Sequence, residues 1–154
     1  DAYWIDIGTP EKYLQAHADV LVGALGTPPA PGAVEAAPGV WKQGPVSIAV
    51  DARIEAPVLL GAGVSIASGA RVGRSVLGPG CTVGEHGSVV RSVVLDDGCV
   101  ATAASVLDAV IGTEATLEHG AVAAGGTVVG PSVVVAAGSR LSGARVPLQV
   151  SPTP

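Results

Sequence analysis

The sequence predicts an all-β chain, a parallel β-helix wound from six-residue repeats. Three observations predict it. First, an aliphatic residue recurs every six positions: Ile48, Ile54, Leu60, Ile66, Val72, then Leu77, Val83, Val89, Leu95, and later Ile111, Leu117, Ala123, Val129, Val135 and Leu141. Second, a small or β-branched residue stands four places after each, including Ala52, Val58, Val64, Ala70, Val76, Cys81, Gly87, Val93, Cys99, Ala115, Ala121, Thr127, Val133 and Ser139, with Arg145 the one break. Third, 48% of the 154 residues are apolar, yet there is no Phe or Met and only two Trp and two Tyr. An ordinary core uses aromatics as its largest buried surfaces. A core of Val, Ile, Leu and Ala fits a narrow, uniform interior, and a repeat at fixed period determines an architecture before local propensity does.

Taken in order, residues 1–8 read as a buried strand end, with Tyr3, Trp4, Ile5 and Ile7 close together. Thr9-Pro10-Glu11 then starts a helix. A Thr can cap free N–H groups, Pro suits the first helical position, and Glu favours the positive end of the helix dipole. Leu14, His17, Ala18, Leu21 and Leu25 recur at three- and four-residue steps and give this helix one apolar face, which Gly26 ends. Residues 27–45 hold Pro28, Pro29, Pro31, Pro38 and Pro45 among Gly and Ala. Proline breaks ladders and helices, so this segment is an extended linker, with Val40 and Trp41 placed to cap the first coil.

Residues 46–146 are the β-helix and 147–154 a tail. Each short strand ends at a corner. Gly61, Gly73, Gly78, Gly84, Gly112 and Gly130 directly follow inward aliphatics and are expected to take left-handed backbone angles there. Pro79 and Pro131 come next, where a corner needs no ladder donor. Three repeats make a turn; at a strand spacing of ~4.8 Å the prism would stand about 25 Å tall in five to six turns. The step from Val72 to Leu77 is five residues, and 101–111 is compressed by about two. The six-residue period with Gly or Ala after the aliphatic resembles the left-handed β-helix, an exception to the right-handed crossover rule.

The remaining composition narrows function. The net charge is −5 with scattered Lys and Arg, so no basic patch exists to neutralise a nucleic-acid backbone. Two cysteines make no disulfide framework. No apolar run approaches the roughly 20 residues of a membrane span, and no signal-peptide pattern opens the sequence, so the expected compartment is the cytoplasm.

Few residues in the repeats could carry chemistry. His86 and His119 occupy different places in their repeats and should not stack; each follows a glutamate, Glu85 or Glu118. Cys81 and Cys99, 18 residues apart, are expected to lie directly above one another as two buried thiols. Asp51 and Asp96-Asp97 are carboxylates without His or further acidic neighbours, a poor metal set that reads as solvated turns.

The first sixteen residues differ. Tyr3-Trp4-Ile5-Asp6-Ile7-Gly8-Thr9-Pro10-Glu11-Lys12-Tyr13-Leu14-Gln15-Ala16 resembles the W-x-D-[IV]-G-T-P-x-x-Y-L-x-A segment of sugar-1-phosphate nucleotidyltransferases, closest to the mannose-1-phosphate guanylyltransferase branch. In that family the segment closes the catalytic domain, and a proline-containing linker and a left-handed β-helix follow in the same order as here. The resemblance implies a parent that makes an NDP-sugar, GDP-mannose by the branch, and pyrophosphate from NTP and a sugar 1-phosphate. By match, Asp6 is the magnesium ligand. The family's N-terminal G-G-x-G-T-R-L loop and later Lys have no counterpart here. The expectation is therefore a C-terminal piece of a larger enzyme, with residues 1–26 the end of its catalytic domain and no catalytic residue of its own. The partners implied are that N-terminal catalytic domain and further copies of the chain through the β-helix. Two other classes compete: a hexapeptide acyltransferase using acyl-CoA, and a non-catalytic assembly or regulatory subunit with a degenerate transferase domain.

Overall fold

A computed structural model of the chain describes Leu14 and residues 32–146. The expected strand end, most of the expected helix and the tail lie outside the described residues; Leu14 itself is helical. Residues 32–146 are an all-β parallel solenoid without a helix. No helix among the described residues is long and apolar enough to cross a membrane.

The solenoid is a three-sided prism of about six turns. Face I is a six-stranded parallel sheet whose strands run from Ser47–Ile48 at the bottom to Val134–Val135 at the top. Faces II and III belong to one 12-stranded sheet, because Arg53–Leu60 and Arg71–Leu77 each run unbroken around the corner between them. Elsewhere no corner between Ile48 and Val146 exceeds four residues.

Three aliphatic columns fill the interior. Ile48, Ile66, Val83, Val100, Leu117 and Val135 stack behind face I. Ile54, Val72, Val89, Val106, Ala123 and Leu141 stack behind face II. Leu60, Leu77, Val94, Ile111, Val129 and Val146 stack behind face III. Leu60, Val72, Val89, Val100, Ile111, Leu117 and Val129 are fully withdrawn from solvent, and Ile54 and Leu141 pack against this core from its ends.

The six-residue beat places most of these residues, but the structure corrects it at three points. The inward residue at the third turn is Val94 and not Leu95, since Leu77 pairs with Val94. The small inward residues there are Ser75, Ser92 and Gly98 in place of Val76, Val93 and Cys99. Arg145 is no break, because it pairs with Val128 on the outside while Val146 continues the inner column. The cause is a turn of 17 residues: Ile66 pairs with Val83, Val83 with Val100 and Val100 with Leu117. Ile48–Ile66 and Leu117–Val135 are 18 apart. The missing residue is always lost at the corner between faces II and III.

That short corner has its own chemistry. Its tip is left-handed on successive turns: Arg74 (φ 52°), Arg91 (47°), Asp108 (53°) and Gly125 (62°). A shortened bend turns amide groups away from the ladder, and buried backbone N–H groups must be paired. Side-chain hydroxyls pair them. Ser75 Oγ donates to the Gly73 carbonyl at 2.7 Å and accepts the Ser92 amide at 3.1 Å. Ser92 Oγ repeats this one turn up, donating to Val90 O at 2.7 Å and accepting the Ala109 amide at 3.1 Å. Thr127 donates to Ala124 O at 2.7 Å and accepts the Ala144 amide at 3.2 Å. Ser75, Ser92 and Thr127 are the buried polar residues among those described, and all three serve this one corner.

None of the six glycines expected to be left-handed has positive φ. They sit where corners of successive turns touch: a Cβ on Gly84 would stand 2.7 Å from the Thr102 amide nitrogen, and one on Gly112 would stand 2.7 Å from the Gly130 carbonyl carbon. Below the first full turn, the expected linker is partly strand. Val34–Ala37 and Val40–Lys42 form an antiparallel hairpin, and Val40–Lys42 also pairs in parallel with Val58–Leu60 as the bottom strand of face III.

Two stability predictions follow from this packing. Leu60→Ala or Leu117→Ala will lower the unfolding free energy by about 2–5 kcal/mol, because a stacked core cannot collapse onto the gap. Ser92→Ala will cost about 1–3 kcal/mol by stranding the Ala109 amide, whereas Ser47→Ala, exposed on face I, will stay within about 0.5 kcal/mol of the parent. Equilibrium denaturation in urea measures all four.

Candidate functional site

Outward side chains gather on the two longer corners and three faces. The corner between faces I and II carries both described histidines. His86 (φ 58°) occupies the left-handed tip position, in one column with Gly69 below and Ala103 and Gly120 above. His119 is one position earlier, in the column of Thr102. The histidines thus share a ridge without stacking, as their spacing implies. The His86 imidazole lies over Gly69, where a Cβ would stand 2.5 Å from Nδ1. Beneath it, Ser68 Oγ donates to Asp51 Oδ2 at 2.7 Å. That bond, aided by the Gly69 and Asp51 amides and the His86 charge, holds the Asp51 carboxyl below the usual carboxylate range.

Asp51, Ser68 and His86 therefore meet on one ridge, which sequence spacing alone did not indicate. Their arrangement is not that of an activated nucleophile. The Ser68 proton points to a carboxylate and not to the imidazole that would act as base. Asp51 and His86 are exposed on a convex corner. The bond orders the corner.

The acidic residues divide between ridges. Asp96 and Asp97 lie on the corner between faces III and I, with Asp97 above Gly80 and Glu114 next in the same column. Asp51 is on the other long corner. Among the described residues, no three of His, Cys, Asp and Glu come together to hold a metal ion. Among the described residues, two ion pairs cross turns at the surface: Arg71 Nη2 to Glu55 Oε1 at 3.0 Å and Arg91 Nε to Asp108 Oδ1 at 2.9 Å. Both partners in each are about half-exposed, so the pairs contribute little to stability. Asp6, the residue matched to a magnesium ligand, lies outside the described residues.

The cysteines do not stack. Cys81 points inward and is fully buried, and its thiol donates to Leu95 O at 3.0 Å. Cys99 pairs with Thr82 and Thr116 in the outward column of face I. The 17-residue turn places Gly98, not Cys99, above Cys81, and a one-residue shift moves a strand side chain to the opposite face. Burial raises the Cys81 thiol from 9.0 to about 11.

These features define a class: a hexapeptide-repeat solenoid domain whose described surface is ridges and flat faces. Residues 38–141 match the family described as the EIF2B subunit epsilon LbH domain, and the chain belongs to that family of left-handed β-helices. Among solved structures, the acetyltransferase domain of PglB from Neisseria gonorrhoeae, in complex with acetyl coenzyme A, is 13% identical with a TM-score of 0.61 over 65% of this chain and 50% of that one. PerB from Caulobacter crescentus, in complex with CoA and GDP-perosamine, is 21% identical with a TM-score of 0.48 over 69% of this chain and 54% of that one. The chain spans about half the length of these two structures. At such identity the likeness to PglB shows the fold alone. No curated protein matches the sequence.

The thiols give a direct check of the corrected register. A water-soluble disulfide reagent at pH 8 will modify one thiol of the native protein promptly, and Cys99→Ser will abolish that phase. Cys81 will react only on unfolding. Below the ordinary thiol range near 9 the buried neutral thiol costs nothing; as pH rises toward about 11 the unfolded thiol ionises first, so the stability held in this group is lost across that window.

Proposed function

We propose that this chain is the assembly and docking end of a sugar-1-phosphate nucleotidyltransferase. The parent joins NTP and a sugar 1-phosphate into an NDP-sugar, GDP-mannose by the branch that the N-terminal segment resembles, and releases pyrophosphate. The observation that carries this reading is one chain with two matched parts in order. Trp4-Ile5-Asp6-Ile7-Gly8-Thr9-Pro10 comes first, and the LbH match at 38–141 follows it. In this reading the solenoid contributes rigid faces for packing on the catalytic domain and on further copies of the chain.

Asp6 is the residue proposed to hold magnesium, together with groups supplied by the catalytic domain. The ion's chemistry there is neutralising and aligning the phosphates as the sugar phosphate attacks the α-phosphate. That role requires a carboxylate whose charge is held in a fixed position. The parent works where nucleotide and sugar phosphate are made, in the cytoplasm.

The family match also favours a second reading, a subunit whose transferase domain no longer catalyses and whose solenoid serves a larger complex. One experiment separates the two. In the full-length parent, magnesium-dependent NDP-sugar formation with GTP and mannose 1-phosphate is measured for wild type, Asp6→Ala and Asp97→Ala. Asp6→Ala will lower turnover at least a hundredfold with melting temperature and oligomeric state unchanged, and Asp97→Ala will be active. No activity in the wild type with any NTP–sugar phosphate pair supports the second reading. Full turnover by Asp6→Ala removes Asp6 from the reaction. Acetyl-CoA binding by the chain alone would point instead to acyl transfer.

A further inference from the structure

Winding gathers charges that are scattered in the sequence. Every arginine of the chain lies on face II, on the short corner beside it or on the top strand of face III: Arg53, Arg71 and Arg140 on the first, Arg74 and Arg91 on the second, Arg145 on the third. Face I and the two long corners that border it hold Asp51, Glu85, Asp96, Asp97, Glu114 and Glu118 and no Lys or Arg. The outward columns differ likewise. Face I presents Ser47, Ser65, Thr82, Cys99, Thr116 and Val134. Face III presents Trp41, Leu59, Val76, Val93, Val110 and Val128, of which Leu59, Val93 and Val110 are buried.

Face II has two outward columns, because each of its strands gives it three residues and only the middle one turns inward. One column runs from Arg53 and Arg71 through Ser88, Ser105 and Val122 to Arg140. The other places Val90, Leu107 and Ala124 between Gly73 and Ser142. Leu107 is 39% exposed in the middle of this face. The other exposed large aliphatics among the described residues lie at the ends of the prism, Val34 and Val50 at the bottom and Val134 at the top. Among the described residues, Glu55 and Asp108 hold Arg71 and Arg91, which leaves Arg53, Arg74 and Arg140 without an ion pair. An apolar centre within an arginine rim is the make-up of a protein-docking surface.

We propose that face II docks an acidic amphipathic helix of another polypeptide, with aliphatic side chains on Leu107 and Val90 and carboxylates on the arginines at either end. The backbone selects a helix. Strands between the two ends of face II are hydrogen-bonded on both sides, so the face offers no free N–H or C=O to an added strand, whereas a helix satisfies its own. The spacing sets its length. Arg71, Ser88, Ser105, Val122 and Arg140 stand on successive turns, so Arg71 and Arg140 are ~19 Å apart at the usual strand spacing, a distance that about 13 helical residues span. Charge selects against a second copy packed face to face, since a two-fold axis would set Arg140 of each copy against Arg53 and Arg71 of the other. Leu107 selects against a nucleic-acid backbone, which would bring phosphates and sugars to an apolar centre. This inference does not rest on the proposed function.

The test uses the full chain and a labelled synthetic helix of about 13 residues, with glutamates in its first and last turns and leucines along one face between them. Fluorescence anisotropy will show this peptide bound at least tenfold more tightly than the same peptide with lysines for its glutamates. Arg53→Glu combined with Arg140→Glu will reverse that preference. Leu107→Ser will weaken the acidic peptide at least tenfold, and Val134→Ser on face I will leave its binding unchanged. Cys81 unreactive toward a thiol reagent in each variant marks an intact solenoid. Equal binding of the two peptides, binding of neither, or binding unmoved by Leu107→Ser would overturn the proposal. So would a duplex oligonucleotide whose binding falls with the arginine reversal and ignores Leu107→Ser, which would assign the arginines to nucleic acid. An oligomer of the chain that Leu107→Ser disperses would overturn it too, by giving the face to a second copy. A second measurement leaves Leu107 and the arginines in place. In a Cys99→Ser background, an environment-sensitive dye on Ser105→Cys will shift its emission when the acidic peptide is added, and the same dye on Ser65→Cys will not; no shift at 105, or equal shifts at both, would refute the docking.

Discussion

From Ser47 to Val146 each strand pairs with the turns above and below it and not with its neighbour in sequence. The number of residues per turn is therefore the constraint on which the rest depends. If turns differ in length at random corners, columns shear and inward side chains rotate outward. Here the turns do differ, 17 residues in some and 18 in others, and the columns survive. They survive because the shortening is confined to one corner, where a left-handed residue closes the bend and the hydroxyls of Ser75, Ser92 and Thr127 take the amides that the bend displaces. No buried polar side-chain atom is left without a partner among the described residues.

The same stacking makes surface chemistry columnar. A residue repeated at one position of each turn becomes a stripe, so a modest sequence bias becomes a whole face of one character. Serines, threonines and arginines make faces I and II wettable, and valines make face III apolar. Such stripes suit broad contact with other protein surfaces better than enclosure of a small molecule. The corners that carry Asp51, Ser68 and His86, or Asp96, Asp97 and Glu114, are convex. A convex ridge cannot exclude water from its groups, and charged side chains there act on one another through solvent. This agrees with a solenoid that positions other parts of a protein.

Much of the fold was legible in the chain. The beat from Ile48 to Leu141 placed Leu60, Ile66, Val83, Val89, Leu117, Val129 and Val135 inside, where they are. The separation of His86 from His119 was legible too, because their places in the repeat differ. The register between Leu77 and Ile111 was not. Val93, Val94 and Leu95 are three aliphatics in a row, and Cys99 follows Cys81 by one nominal turn, so a six-residue beat passes through them without an apparent fault. The signal that could have found it was Ser75 and Ser92, each two places before the true inward residues Leu77 and Val94.

The sequence by itself determined the architecture and the residues that fill it, because a sixfold aliphatic repeat can bury itself in only a few ways. It also carries the N-terminal segment on whose resemblance the proposed function rests, through residue identities that need no coordinates. Tertiary structure alone decided which corner absorbs the missing residue. That choice depends on pairing amides 17 residues apart, a relation that no local propensity encodes. It thereby decided that Cys81 is buried and Cys99 is not, and that the valines at 76, 93, 110 and 128 face outward as one surface.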